Sequence, residues 1–243
     1  HAAKMANHLY LGVQPPLMRT FEWAFMKYDN ITIQPLGQNL PGYDHWTTFV
    51  SLPAAMGLSE EEIVTAPHIN PGISSGRKDW KVPNRKLHIG IAWAGSNLNP
   101  INSHRSIPLT TLLPALHPGI EWISLQQEVR PWDEAAMRSG HLQQVQQEQQ
   151  LRHFGSELQS FDDTAALCAH MDLVVSGCTS VAHLAGSMGK PLWLLAAHTA
   201  DWRWLTERED SPWYPGARIF RQAQAGDWSG VLHRVSAALD GMR

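Results

Sequence analysis

The sequence lacks most of what would mark a polyanion binder, a membrane protein or a metalloprotein. Its 19 Lys and Arg are outnumbered by 22 Asp and Glu, for a net charge of −3. No basic footprint therefore points to nucleic acid or an anionic membrane. No apolar run approaches the roughly 18 residues that a spanning helix needs. Nothing at the start reads as a signal peptide, and the first residue is His1 rather than Met. That start reads as a tag remnant or the middle of a longer protein. The two cysteines, Cys168 and Cys178, lack metal-type spacing. A disulfide is open to them but unneeded at this length, and a reducing cytoplasm is the expected compartment. Cys168 and His170 lie two apart on a predicted helix and face different ways, so no zinc site is expected. Missing too are a G-x-G-x-x-G, a P-loop and an H-E-x-x-H. Ala185–Gly189 resembles a hydrolase elbow only faintly, because Ser187 falls late in a helix.

What is present suits a soluble α/β protein. Apolar residues are 43% and charged residues 17% of 243, enough for one large domain or two small ones. Strand-like and helix-like segments alternate. Leu87–Trp93, Glu121–Leu125, Asp172–Ser176, Pro191–Ala196 and Ala217–Phe220 read as strands. Pro108–Leu116, Asp162–Met171, Thr179–Met188 and Trp228–Leu239 read as helices. This alternation predicts a parallel sheet covered on both faces, a Rossmann-like domain over residues 81–243. Residues 1–80 read as the remainder of a first α/β domain and a linker. Leu9–Val13 and Ile31–Ile33 are its strands, Leu17–Phe25 its helix, and Ile69–Arg85 the Gly/Pro-rich linker. The glutamine-rich Gln143–Gln150 is assigned no chemistry. Eleven tryptophans, several in polar Pro-containing stretches, fit either a lined cleft or ordinary packing.

In such a sheet ligands bind beyond the carboxyl ends of the strands. The residues there are Gly95, Ser96, Asn97 and His104-Arg105-Ser106, then Gln126 and Gln127, then Gly177, Cys178, Thr179 and Ser180. Thr179 and Ser180 open a helix, whose free N–H groups and positive dipole end favour an anion. His183 lies one turn on and on the same face. The bland alternative makes Thr179 a plain N-cap and His183 a core histidine. Arg105 has the planar fork that suits a diphosphate, although most loop arginines are merely solvated.

Ile89–Ser96 with His104–Leu109, Ser124-Leu125-Gln126, Phe161–Leu167, Thr179–Gly186, Gly189-Lys190-Pro191, Asp201–Trp204 and Asp210–Pro215 together resemble a known family. It is the glycosyltransferase family 9-like domain found behind tetratricopeptide repeats in bacterial proteins. It is related to heptosyltransferases and, more distantly, to O-linked N-acetylglucosamine transferases. The resemblance implies a two-domain GT-B fold and inverting, metal-independent transfer from a nucleoside-diphosphate sugar to a glycan or protein acceptor. That nucleotide sugar is a substrate, and no cofactor is implied. Upstream tetratricopeptide repeats are implied as partners. By the family's motifs Arg105, Thr179, Ser180 and His183 hold the donor diphosphate. Ser96, Asn97, Gln126, Gln159, Phe161, Asp162, Cys178, Trp202 and Arg203 line the donor site. The chain departs from the family at Cys178, where Asp is common, and at Gln127, where Lys is common. The upstream loop that carries an acidic base is missing, so no catalytic base is assigned. A transferase-like module that only binds a nucleotide, glycan or protein is the alternative, and an unrelated Rossmann-like hydrolase or epimerase is a third.

Overall fold

A computed structural model describes residues 1–63, 69, 80, 87–96, 102–117, 119–138 and 151–242. Asn97, Gln143–Gln150 and, apart from Ile69 and Trp80, the expected linker lie outside the described residues. In chain order the described elements are β1 (Leu9–Val13), α1 (Met18–Phe25), β2 (Ile31–Pro35), β3 (His88–Ala92), β4 (Glu121–Ser124), α2 (Pro131–Arg138), β5 (Arg152–His153), α3 (Phe161–Ala169), β6 (Leu173–Gly177), α4 (Ser180–Ser187), β7 (Leu192–Ala196), β8 (Ala217–Arg221) and α5 (Trp228–Asp240). Short helical turns fill some connections, among them Asn102–Arg105 and Leu109–Leu112.

The large sheet has six strands in the order β5-β4-β3-β6-β7-β8, and every pair is parallel. Its central strands β3, β4 and β6 are buried on both sides because alternate residues serve two cores. Ile89, Ile91, Leu173 and Val175 pack with Val231 and Val235 of α5 on one face. Val174, Leu192 and Leu194 pack with Leu167 of α3 and Ala182 of α4 on the other. Gly90 has a reason to be Gly. A β-carbon there would lie 2.6 Å from Leu125 Cδ1 and 2.9 Å from Met171 Cγ. Residues 1–63 hold a separate parallel pair, β1 with β2, crossed over by α1.

Several boundaries differ from the sequence expectation. The helix expected over Pro108–Leu116 is α-helical only to Leu112 and then tightens into a 3-10 turn, Leu113–Ala115. Pro114 causes this, since it has no N–H for an i−4 carbonyl. α3 is capped by Ser160 rather than opened by Asp162. Ser160 Oγ accepts from the Asp163 N–H, and Asp163 Oδ2 accepts from the Ser160 N–H, a reciprocal capping box. Asp162 is thereby left to the N-terminal segment. Its carboxylate pairs with Arg19 Nε at 3.0 Å and accepts from Thr20 Oγ1 at 3.0 Å. Both cysteines are free and buried.

Candidate functional site

The chain lays down β3, moves outward through β4 and β5, then returns to the other side of β3 with β6. The crevice for a ligand is therefore between the ends of β3 and β6. The loops leaving those two strands carry Arg105 and Thr179, the residues singled out from sequence.

The β3 loop is held by buried polar groups. Gln126 Oε1 accepts from the Trp93 and Ala94 N–H groups at 3.3 and 3.1 Å, and its amide donates to Ala94 O at 2.8 Å. Gln126 thus shapes the loop, and its amide is spent on backbone. Asn102 closes the next stretch by exchanging bonds with Gly95 N and O, both 3.1 Å, and accepting from Ser106 Oγ. Beneath lies an ion pair, Arg130 with Asp133 at 2.6 Å. Arg130 is 6% and Asp133 2% exposed. Asp133 also accepts from the Trp93 indole at 3.1 Å and the Leu109 N–H at 3.3 Å, while Arg130 donates to Ile107 O.

This scaffold brings Arg105 to the crevice. A β-carbon on Gly95 would lie 2.7 Å from an Arg105 guanidinium nitrogen and 2.8 Å from Asn102 Oδ1, so a larger residue would displace both side chains. The backbone carbonyl of Arg105 lies 3.4 Å from where a Gly177 β-carbon would stand, so the two loops meet. Gly177 serves this approach without a positive φ. Arg105 Nε is buried, and no hydrogen-bond partner for it is found among the described residues.

Thr179 occupies the N-cap position of α4 with extended backbone, but its side chain makes no cap bond. Its hydroxyl instead pairs with Ser176 Oγ at 3.1 Å. The plain N-cap expectation is thus met in place and not in bonding, and the cap leaves the first N–H groups of α4 to other partners. Ser180, the next residue, is exposed.

His183 is neither a bare surface ligand nor a plain core residue. Its ring stacks on Trp204, 5.0 Å between centroids and 20° between planes, and Nδ1 pairs with the Tyr214 hydroxyl at 3.0 Å. Burial, helped by the charges of Arg203 and Arg105, pushes its pKa down to about 4. It is therefore a neutral imidazole near pH 7. Ser187 is a second side-chain partner of the Tyr214 hydroxyl. When the phenol proton points at Nδ1, Nε2–H is left as a donor.

The third wall is the loop after β7, whose 3-10 turn Trp202–Trp204 is missed by the sequence reading. Asp201 accepts from the Arg203 N–H at 3.0 Å and pairs with its guanidinium at 2.9 Å. Trp202 is 45% exposed and carries that guanidinium 4.6 Å above its ring. Trp204 is fully buried and donates its indole N–H to Cys178 Sγ at 3.1 Å. Burial raises the pKa of that thiol, so Cys178 is a neutral acceptor. Leu205, next in the loop, has φ 48°, a conformation that costs a non-glycine residue about 1–3 kcal/mol. Tyr214 returns the loop to α4 by lying against Gly186, where a β-carbon would come within 2.5 Å of the ring.

The remaining sequence candidates are more dispersed. Ser96 is exposed in the β3 loop, and Asn97 is outside the described residues. Gln159 and Phe161 flank the Ser160 cap of α3, with Gln159 exposed. Asp162 faces the N-terminal segment as described. Gln127 borders a shallow depression of about 430 Å³ with Glu128, Val129, Glu134, Met137 and His153. Tyr214, Trp204, Asp133 and Arg130 escape a sequence search because each is far along the chain from the residue it supports. Among the described residues no group of three or more His, Cys, Asp or Glu is disposed to hold a metal ion. None of the described helices is long and apolar enough to cross a membrane.

The histidine gives a testable pH dependence. Its folded pKa of about 4 lies below the 6.5 of a free imidazole. Between those values the unfolded chain binds more protons, so stability rises with pH across the window and is lost as pH falls. The full effect is on the order of 3 kcal/mol. Urea unfolding of wild type and His183→Gln at pH 7 and 4.5 checks it: the wild type is expected to lose more of its advantage on acidification. Parallel losses would rule out a neutral buried His183.

No family model matches the chain. Protein FlbA of Caulobacter vibrioides is 31% identical over 166 residues, which cover 66% of this chain and 27% of that protein. The chain thus spans about a quarter of this curated relative's length. The E. coli ADP-heptose lps heptosyltransferase II structure matches 100% of this chain and 78% of its own at a TM-score of 0.52 and 14% identity. E. coli heptosyltransferase WaaC with ADP matches 78% of this chain and 52% of its own, at TM-score 0.48 and 13% identity. A glycosyl transferase family 9 structure from Veillonella parvula covers 66% of this chain and 47% of its own, at TM-score 0.44 and 13% identity. The likeness to the heptosyltransferase II structure shows the fold alone, an α/β architecture of GT-B type, as the sequence led one to expect.

Proposed function

We propose that this chain carries the donor site of a glycosyltransferase that moves a sugar from a nucleoside diphosphate to a glycan or protein acceptor. The supporting observation is the approach of the Arg105 loop to Gly177, just ahead of α4, with the Arg105 charge felt at Cys178 and His183, at the crossover of strand order. A diphosphate lodged there would face a guanidinium, helix N–H groups and the neutral imidazole of His183. As the anomeric C–O bond breaks, its electron pair passes to the diphosphate, and these groups stabilise the new charge. The acceptor hydroxyl forms the new bond from the opposite side, which inverts the anomeric centre, and its proton passes to water or to the departing diphosphate. In this reading the protein cations replace a metal, the protein works in the cytoplasm, and repeats precede it in the full-length chain.

A specific observation favours the second reading, a module that binds nucleotide without transfer. Cys178, where Asp is common in the family the sequence resembles, is a neutral thiol bonded to Trp204. The nearby carboxylate of Asp201 is pushed up by burial, but Arg203's hydrogen bonds and charge prevail and hold it below the usual range. It is thus a poor base.

Melting curves with ADP, UDP and GDP, free and sugar-linked, test the donor site. A true ligand at 100 times its Kd adds about 2.7 kcal/mol, or about 5–10 °C for a chain of this size. Arg105→Ala is expected to weaken the responding nucleotide by roughly 10- to 100-fold, the worth of a charged hydrogen bond. Thr179→Ala is expected to weaken it by several-fold. No shift with any nucleotide defeats the reading, whereas binding with no turnover by the full-length protein selects the binding module.

A further inference from the structure

We propose that Arg221 is a positioning residue for this site, holding the loop after β7 so that Trp204 seals His183 and Cys178. The inference rests on the donor-site reading for its function, and on geometry for its structure. Arg221 ends β8, on the edge of the sheet. One of its guanidinium nitrogens donates to two successive loop carbonyls, Trp204 O at 2.9 Å and Leu205 O at 2.6 Å. Those carbonyls flank the bend where Leu205 takes φ 48°. Side chains rarely adopt that backbone unless their surroundings impose it. A cation bound to both carbonyls is such an imposition, because it gathers two successive loop oxygens onto one nitrogen.

The consequence is transmitted through Trp204. Its ring stacks on His183, and its N–H is spent on Cys178. Both partners belong to the β6–α4 corner that holds Thr179. Arg221 itself is fixed from behind, since its backbone carbonyl accepts from the Arg234 guanidinium and its Cα pairs with Ala196 of β7. The groups facing His183 are Arg105 from the β3 loop, Asp201, Arg203 and Trp204 from the β7 loop, and Tyr214. Trp204 is the one whose seat depends on the Leu205 bend. Freeing the bend lets water reach the imidazole and removes the main cause of its neutrality.

NMR titration of the His183 ring in the intact chain is the test. Wild type is expected to titrate near pH 4. Folded Arg221→Met is expected to titrate at least one unit higher, and Arg221→Lys, which keeps a donor, in between. Adding Leu205→Gly to Arg221→Met removes the backbone penalty and is expected to return the titration toward the wild-type value. It also supplies a folded background should Arg221→Met alone fail to fold. A folded Arg221→Met whose His183 titrates as in wild type overturns the proposal, as does a wild-type His183 that titrates near 6.5. In parallel, the affinity for whichever of ADP, UDP or GDP the wild type binds is expected to fall at least tenfold in Arg221→Met. If the wild type binds none of them, the donor-site reading fails, and the titration still decides the role of Arg221.

Discussion

Asp133→Ala is expected to destabilise the protein by about 3–5 kcal/mol, the cost of stranding a buried cation. Asp133 is 2% exposed and is the acceptor for Arg130, the Trp93 indole and the Leu109 N–H. Its removal leaves the 6%-exposed Arg130 with the Ile107 carbonyl as its side-chain hydrogen-bond acceptor among the described residues and the Trp132 ring beside it. Two further buried donors lose their acceptor, each at about 1–3 kcal/mol if water cannot enter. Domains of this kind total roughly 5–15 kcal/mol, so the loss is a large share. It should appear as a lower urea midpoint at unchanged m-value, and as a melting point lower by about 6–20 °C. Asp133→Asn keeps the acceptor and is expected to fall between. The double change Arg130→Met with Asp133→Leu removes both charges and is expected to recover much of the loss. A fully stable Asp133→Ala would mean that the pair does not organise the β3 loop. Nucleotide affinity is expected to fall with it, because the Trp93–Leu109 segment that this carboxylate fastens is the one that carries Arg105.

Trp204→Ala is the second large effect, at about 3–5 kcal/mol for emptying a buried aromatic site. The residue is fully buried and packs on His183 and Tyr214. Unlike Asp133, it is expected to change the chemistry of the corner as well as its stability. The cavity admits water beside His183, whose pKa rises from about 4 toward the ordinary value as burial is relieved. The Cys178 thiol loses its indole donor and becomes accessible. Reaction of Cys178 with a thiol reagent under native conditions is therefore expected to be fast in Trp204→Ala and slow in wild type, with Cys168 inert in both. Burial pushes the Cys168 thiol up to about 12. Trp204→Phe fills most of the space without the N–H. It is expected to cost less stability while still exposing the effect of the lost bond to Cys178. Equal Cys178 reactivity in all three proteins would show that the indole does not shield the thiol.

Much of the fold was legible because its signals are local. Apolar runs such as Leu87–Trp93 and Asp172–Ser176 belong to strands buried on both faces, and no partial burial dilutes them. The helices between them follow from period and punctuation, with Gly189 closing α4. β5 was not legible, since two residues leave no period to read. α2 was missed because its buried face is polar, built on Asp133 rather than on a stripe of leucines. Asp162 was placed at the head of α3, whereas Ser160 caps the helix and Asp162 joins it to α1. A carboxylate at a helix start looks the same in sequence whichever it does.

The sequence by itself determined the α/β class, a parallel sheet with five of its six strands, and the loops on which a site is expected. Those follow from which residues must be buried, and burial is written in local composition. Only the tertiary structure decided what those loop residues do. It turned Gln126 into a brace for the β3 loop, made His183 a neutral imidazole between Trp204 and Tyr214, and set Arg221 behind the bend at Leu205. Each of these roles depends on a partner between 16 and 33 residues away. Hydrogen bonds, stacking and desolvation act over a few ångströms in space and leave no periodic trace along the chain.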